Sequence, residues 1–388
     1  MKKEKHMANE IPLCIPNIGN EEIRELKKVL KSHWLAHGPK NEEFEREFAN
    51  YIGTKRAVTL NSCTSALFLA ILAQDITEEI ILPSFTFVAS ANAIVTAGAK
   101  PIFVDINPDD FCIDHKEIEK RITKNTQAIM VVHYAGQSCQ MDKIINIAGK
   151  YNLKIIEDSA QAIGATYNNR KTGSWATGCF SFFPTKNITT GEGGMITTND
   201  DTFADKVKAM ASHGIPGTTL SRKDTKKPWE REAIYAGYNF RMSNILAAIG
   251  VEQLKKLDEM NKKRRENAFY LNNKLSGIDE IIVPLESQDC YHTYQMYVIR
   301  LKDSSLRDNL LFKLKSYGIG ASVHYDPPVH LHPYYMKNFG SKVGDLAVTE
   351  EVCKSAITLP MFPQLKKQQL KKIVQTLGKS ILEIRKEV

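Results

Sequence analysis

Cysteine is sparse and unpatterned in this chain. Seven occur, at 14, 63, 112, 139, 179, 290 and 353, an odd number with no C-x-x-C and no Cys/His cluster at zinc spacing. A disulfide scaffold and a structural zinc framework are therefore not expected, and a reducing, cytoplasmic compartment is. No run of about 18 apolar residues occurs, so no membrane-spanning helix is expected. The basic start MKKEKHMANEIP has no apolar stretch behind it, which argues against a secretory signal. Internal repeats and low-complexity tracts are missing too. What remains is ordinary for a globular protein: 43% hydrophobic and 25% charged residues over 388 positions. The net charge of +8 is spread along the chain, with concentrations at Arg222–Arg231, Lys255–Arg265 and Lys366–Lys372. Without a basic stripe interleaved with aromatics, a helix-turn-helix or an RNP signature, nucleic acid is not an expected partner. Solvated helix faces account for most of the surplus, and an anionic small molecule fits it nearly as well as nucleic acid would.

From residue 55 to 200 short β-branched runs alternate with helical patterns. The predicted strands are Ala57–Asn61, Glu79–Pro83, Pro101–Ile106, Ala128–His133, Lys154–Asp158, Cys179–Phe183 and Met195–Asn199. Runs such as IIL, AIMVV and IFV read as strands buried on both faces of a parallel sheet. Helices are predicted at Ser65–Leu72, Ala89–Ala97 and Asp142–Tyr151, which gives a wound α/β sheet. Two helices precede it: Glu21–Leu30, with Ile23, Leu26 and Leu30 on its apolar face, and Glu42–Tyr51, capped by Asn41 and stopped at Gly53. Ser243–Tyr270 reads as one long helix leading into a Tyr/His/Pro-rich region. That change of texture sets the predicted domains at 1–255 and 256–388.

Ligands of wound α/β folds sit beyond the carboxyl ends of the strands, so polar residues there converge. Asn61-Ser62-Cys63-Thr64-Ser65 opens a helix; its N–H groups suit a phosphate, or the serines simply cap the helix. Asp158 ends an apolar strand, where a carboxylate needs a cation or donors: a protonated heterocyclic nitrogen, or the start of the next helix. Gln161 follows one turn later. Lys186 lies between two apolar strands, where burial makes a lysine a Schiff-base nucleophile unless it snorkels to solvent. Gly191-Glu192-Gly193-Gly194 lacks the Lys-Ser/Thr of a P-loop and reads as a tight turn. With Phe87 as an aromatic platform, the set matches what pyridoxal phosphate (PLP) requires.

At this point the chain resembles the DegT/DnrJ/EryC1/StrS family of PLP-dependent nucleotide-sugar aminotransferases. The resemblance rests on WLAHGPK (34–40), NSCTSAL (61–67), PSFTFVASANAI (83–94), GAKPIFVDI (98–106), EDSAQAIGATY (157–167), SFFPTKNITTGEGGMITTND (181–200) and GYNFRMSNILAAIG (237–250). It implies an α/β fold of the fold-type-I PLP-dependent transferases: a three-layer α/β/α large domain with a seven-stranded, mostly parallel sheet and a smaller C-terminal α+β domain. It also implies that Lys186 carries the cofactor and shuttles a proton, and that Asp158 keeps the pyridine nitrogen protonated. Gln161 would bond the ring's 3-oxygen and Phe87 would stack on the ring, while Thr64, Ser65 and Ser181 hold the phosphate. Asn239 would reach the neighbouring subunit's phosphate, making a homodimer the working unit. Related sugar 3-dehydratases carry histidine at the position of Lys186, so transamination is the implied reaction: L-glutamate leaves pyridoxamine phosphate (PMP), which aminates a keto sugar. Trp34, His213, His324, Tyr325 and His330 would meet the nucleotide sugar, and Ser212-His213-Gly214 points to C4 rather than C3. Arg222–Arg231 would either close over the diphosphate or stay solvated. His324, His330 and His332 are implied to be loop contacts and not a metal site. Alternatives are a C3 aminotransferase, a PLP-dependent sugar dehydratase, or a PLP-binding regulator. A regulator would be expected to lose Lys186 or Asp158, and the chain keeps both.

Overall fold

The computed structural model describes residues 10–217 and 229–387. Its centre is a seven-stranded sheet of β1 (Arg56–Leu60), β2 (Glu79–Pro83), β3 (Lys100–Val104), β4 (Thr126–Val132), β5 (Lys154–Asp158), β6 (Thr177–Ser181) and β7 (Gly194–Thr198). The spatial order is β1-β7-β6-β5-β4-β2-β3, and β7 alone runs against its neighbours. Strands β2 and β6 are buried at every position, which is why they read as unbroken apolar runs.

Each predicted strand is present within two residues; of the predicted helices, the second begins three residues earlier than expected and the long one runs five residues further. α1 covers Asn20–Ser32, α2 Pro39–Ile52, α3 Cys63–Ala73, α4 Val88–Thr96, α5 His115–Arg121, α6 Met141–Tyr151 and α7 Asp201–Ala211. Ser62 caps α3 by accepting from the Ser65 N–H. α3 is apolar all round because it lies between the sheet and the α4 and α7 helices, so Leu67, Leu69 and Ile71 are all buried.

Two local expectations change. Asn41 is not the cap of α2; it sits inside the first turn, where its Oδ1 accepts from the Gly38 N–H. On α1 the burial is reversed: Glu22, Glu25 and Val29 face inward, while Ile23 and Leu30 are about half exposed. The cause is the helix it packs on, α8 (Asn244–Leu275), which presents Gln253 and Lys256 to the Glu22 carboxylate.

α8 runs through the predicted boundary at 255/256 without a break. Val251, Leu257 and Met260 pack with Phe44 and Phe48 of α2, whereas Ala268, Leu271 and Leu275 pack in a second core. That second core belongs to an antiparallel sheet of β8 (Ile281–Ile282), β9 (Tyr297–Leu301) and β10 (Ala356–Leu359), backed by α9 (Arg307–Ser316) and α10 (Lys367–Glu387). Ile11 joins it as well, pairing with Ile319. The loop from 322 to 332 leaves this unit and returns to the ends of the large sheet, where Val329 N–H donates to Ser84 O.

Candidate active site

A cavity of about 390 Å³ opens at the carboxyl ends of β5 and β6, where the wound topology places a ligand. Thr64, Phe87, Asp158, Gln161, Ser181, Lys186, His324 and Tyr325 all line it. They come from five separate stretches of sequence and meet because each follows a strand or returns in the 322–332 loop.

Asp158 is the last residue of β5 and is 5% exposed. Its Oδ2 accepts from Ser90 Oγ at 2.7 Å and its Oδ1 from the Ala160 N–H at 3.2 Å. Burial raises its pKa above the usual carboxylate range, opposed by the Ser90 hydroxyl and by the charge of Lys186. Lys186 stands in the turn between β6 and β7, whose backbone is fixed by its own N–H donating to Phe183 O. Burial lowers its pKa, and the charge of Asp158 pulls the other way. Its Nζ makes no hydrogen bond or ion pair with any described residue. A half-buried amine with no partner, facing a cavity opposite a buried acid, is a nucleophile awaiting an electrophile.

One wall of the cavity is built by the start of α3. Thr64 faces the cavity, as does the cap Ser62. Gly194 of β7 makes the turn possible, since a Cβ there would come within 2.3 Å of the Ser62 carbonyl. Ser65 was expected among the phosphate ligands, yet it does not line the cavity. Its hydroxyl donates to Asn61 Oδ1 at 2.7 Å and touches Ser62 Oγ at 3.0 Å, because the first turn of the helix rotates it inward.

On the opposite wall, Gln161 Oε1 accepts from the Ala135 N–H and its Nε2 donates to Tyr325 Oη at 2.7 Å. Phe87 is 57% exposed, and its ring lies 5.9 Å from that of Tyr325. His324 shares a 2.8 Å hydrogen bond between Nδ1 and Thr358 Oγ1, and burial with the nearby Lys186 charge pushes its pKa down to about 4. It is neutral at pH 7.

Other expected residues stand elsewhere. His330 is 1% exposed, and its ring is held between Ser84 Oγ at 2.7 Å and Glu350 at 3.3 Å. It fastens the returning loop to β2 and does not reach the cavity. His332 turns to Pro327 O, so the three neighbouring histidines point to separate partners. Trp34 packs over Gly38 and bonds His37 O through Nε1, away from the cavity. His213 and Asn239 are exposed and outside it; Asn239 pairs with Ser212 and is followed by Phe240, whose carbonyl accepts from the Asn61 N–H. Residues 218–228, most of the basic segment, lie outside the described residues.

Several lining residues escaped the sequence reading, among them Cys14, Gln295 and Thr358. Cys14 arrives from the N-terminal segment and Gln295 and Thr358 from the small unit. No motif spacing marks them, because only the docking of that unit brings them in.

The family model described as the DegT/DnrJ/EryC1/StrS aminotransferase family matches residues 16–378. The chain belongs to that family. A spore coat polysaccharide biosynthesis protein, SpsC of Bacillus subtilis, is 38% identical over 382 residues, covering 97% of each chain. The UDP-4-amino-4-deoxy-L-arabinose–oxoglutarate aminotransferase of Shewanella sediminis is 34% identical over 97% of this chain and 99% of its own length. Among solved structures, the PLP form of Spr1654 from Streptococcus pneumoniae superposes with a TM-score of 0.90 at 28% identity, covering 97% of this chain and 99% of that one. This DegT-family member is a PLP-dependent aminotransferase, and its cavity suits the cofactor. An amine without a partner, a buried carboxylate with lone pairs to spare and a hydroxyl-lined helix start are the three anchors PLP needs.

Proposed function

We propose that this aminotransferase moves the amino group of L-glutamate onto a keto group, at C4, of a nucleotide-activated 4-keto-6-deoxyhexose, working as a homodimer in the cytoplasm. The observation that carries the reading is Lys186, an unpartnered amine on the cavity wall with Asp158 also facing the space. A lysine there supports transamination over dehydration, since the amine can take back the cofactor and release product. Relatives named for spore coat polysaccharide biosynthesis and for a UDP-amino-arabinose support a sugar as acceptor.

PLP bound there supplies an electron sink for the carbon that gives or receives nitrogen. Asp158 would face the ring nitrogen, and Thr64, Ser62 and Ser181 the phosphate, with the N-terminal dipole of α3 behind them. Gln161 would meet the 3-oxygen, and Phe87 and Tyr325 would exclude water from the ring. Lys186 Nζ would hold the proton between its two positions on substrate and cofactor, a role its lowered pKa favours.

Among the described residues lining the cavity Lys186 is the one cation, although phosphate and carboxylates must be met there. This supports a second copy contributing Asn239 and its neighbours. The outward-turned Ile23 and Leu30, with Ile15, Ile18 and Leu35 also exposed, offer that copy an apolar surface. To test the acceptor, the PMP-loaded enzyme is mixed with 4-keto and 3-keto nucleotide sugars and the return of PLP absorbance is followed. Turnover with 4-keto sugars is expected; a preference for 3-keto sugars overturns the C4 assignment, and reaction with neither overturns the sugar acceptor.

A further inference from the structure

We propose that Ser90, backed by Thr86, is a positioning residue for Asp158: a two-hydroxyl chain that aims the carboxylate and keeps it charged toward the cofactor ring. The inference rests on the assignment of Asp158 to the ring nitrogen made above.

The geometry is specific. Ser90 is in the first turn of α4, 1% exposed, and its Oγ lies 2.7 Å from Asp158 Oδ2 and 2.8 Å from Thr86 Oγ1. An ionised carboxylate only accepts, so the Ser90 proton points to Asp158. Ser90 Oγ is then free to accept, and the Thr86 proton points to Ser90. Serine inside a helix ordinarily returns its hydroxyl to a carbonyl one turn back. Here it crosses 68 positions of sequence to the end of β5. Among the described residues, Ser90 is the one side chain that donates to Asp158. The other groups facing that carboxylate are the Lys186 ammonium, His133, the thiols of Cys63 and Cys179, and the Tyr325 phenol. None of these is hydrogen-bonded to it.

Asp158 has a task that burial opposes. A neutral carboxyl would present a proton where a charge is needed to hold the ring nitrogen protonated. The remaining donor, the Ala160 N–H, is long at 3.2 Å and belongs to the following turn. Ser90 therefore holds both the rotamer and the charge. It does so from the same short segment that sets Phe87 at the cavity mouth, so the ring's platform and its nitrogen partner are in register through four residues of chain.

The test uses Ser90→Ala, Ser90→Thr, Thr86→Val and Asp158→Asn, each checked for folding by circular dichroism. The carboxyl of Asp158 is titrated by ¹³C NMR in the apoenzyme, and the ring nitrogen is read by ¹⁵N NMR after loading with ¹⁵N-labelled PLP. Ser90→Ala is expected to raise the Asp158 titration by about one unit and shift the nitrogen signal toward the unprotonated ring, with Thr86→Val moving both the same way by less. Ser90→Thr is expected to restore both. Unchanged titration and nitrogen signal in a folded Ser90→Ala protein overturn the inference, as does a Thr variant that fails like Ala. If the nitrogen signal also ignores Asp158→Asn, the assignment of Asp158 falls with it; if it responds to Asp158→Asn alone, only the role of Ser90 falls.

Discussion

Asp158 and Lys186 stood out in the sequence because each is charged within an apolar stretch, and an isolated charge there needs a reason. The hydroxyl-rich turn before α3 was legible only as a group. Ser62, Thr64 and Ser65 are chemically alike, and which of them face the cavity depends on the cap geometry that rotates Ser65 toward Asn61. His330 shows the converse: His324 and Tyr325 of the same loop line the site, but the His330 ring is buried between Ser84 and Glu350. Gly194 bears on the same turn. Because a Cβ at this position would meet the Ser62 carbonyl at 2.3 Å, Gly194→Ala is expected to push the start of α3 away from β7. The cost is about 1–3 kcal/mol of stability, with PLP retained at least about tenfold less tightly. Urea unfolding and PLP titration of the apoprotein measure the two effects.

Elements were legible where periodicity and burial agree, as in the central strands. α1 was not, since its apolar residues looked like a core face while its true partner α8 offers Gln253 and Lys256 to Glu22. A sequence shows which face is apolar; it does not show what stands opposite. Polar packing recurs where α2 meets β1. Glu45, 5% exposed, accepts from the Thr59 N–H and hydroxyl and pairs with Lys208 at 2.8 Å. Burial opposes its charge, but His37, Lys208 and Thr59 outweigh it and hold the pKa at about 2 against an ordinary 4.5. A carboxylate pKa depressed by folding stabilises the fold above the unfolded value. That contribution, about 3 kcal/mol, is lost as pH falls from about 4.5 toward 2. Glu45→Gln is expected to be less stable at pH 7 and to show a flatter stability profile across that acid range, as read by denaturant unfolding. A mutant as pH-sensitive as wild type would contradict the role given to Glu45.

At the scale of the whole molecule, α8 ties the two cores together, with Met260 in one and Ala268 in the other. The predicted boundary therefore fell within a continuous helix, because a change in loop composition marks where function-bearing segments begin and not where packing changes hands. The proposed homodimer makes a sharp expectation. Mixing Lys186→Ala chains with Asn239→Ala chains should restore activity, since a hybrid would hold one site with an intact lysine and the partner's intact asparagine. No recovery would mean that Asn239 serves its own subunit. The central claim, PLP-dependent transamination through Lys186, is tested most directly by one spectrum. Purified protein loaded with PLP is mixed with L-glutamate, and its absorbance is compared with that of Lys186→Ala. The visible PLP absorption is expected to give way to the near-ultraviolet band of PMP with one equivalent of 2-oxoglutarate released, and no such conversion is expected in the variant. A wild-type protein whose spectrum ignores glutamate, or a Lys186→Ala protein that converts as fast, would contradict it.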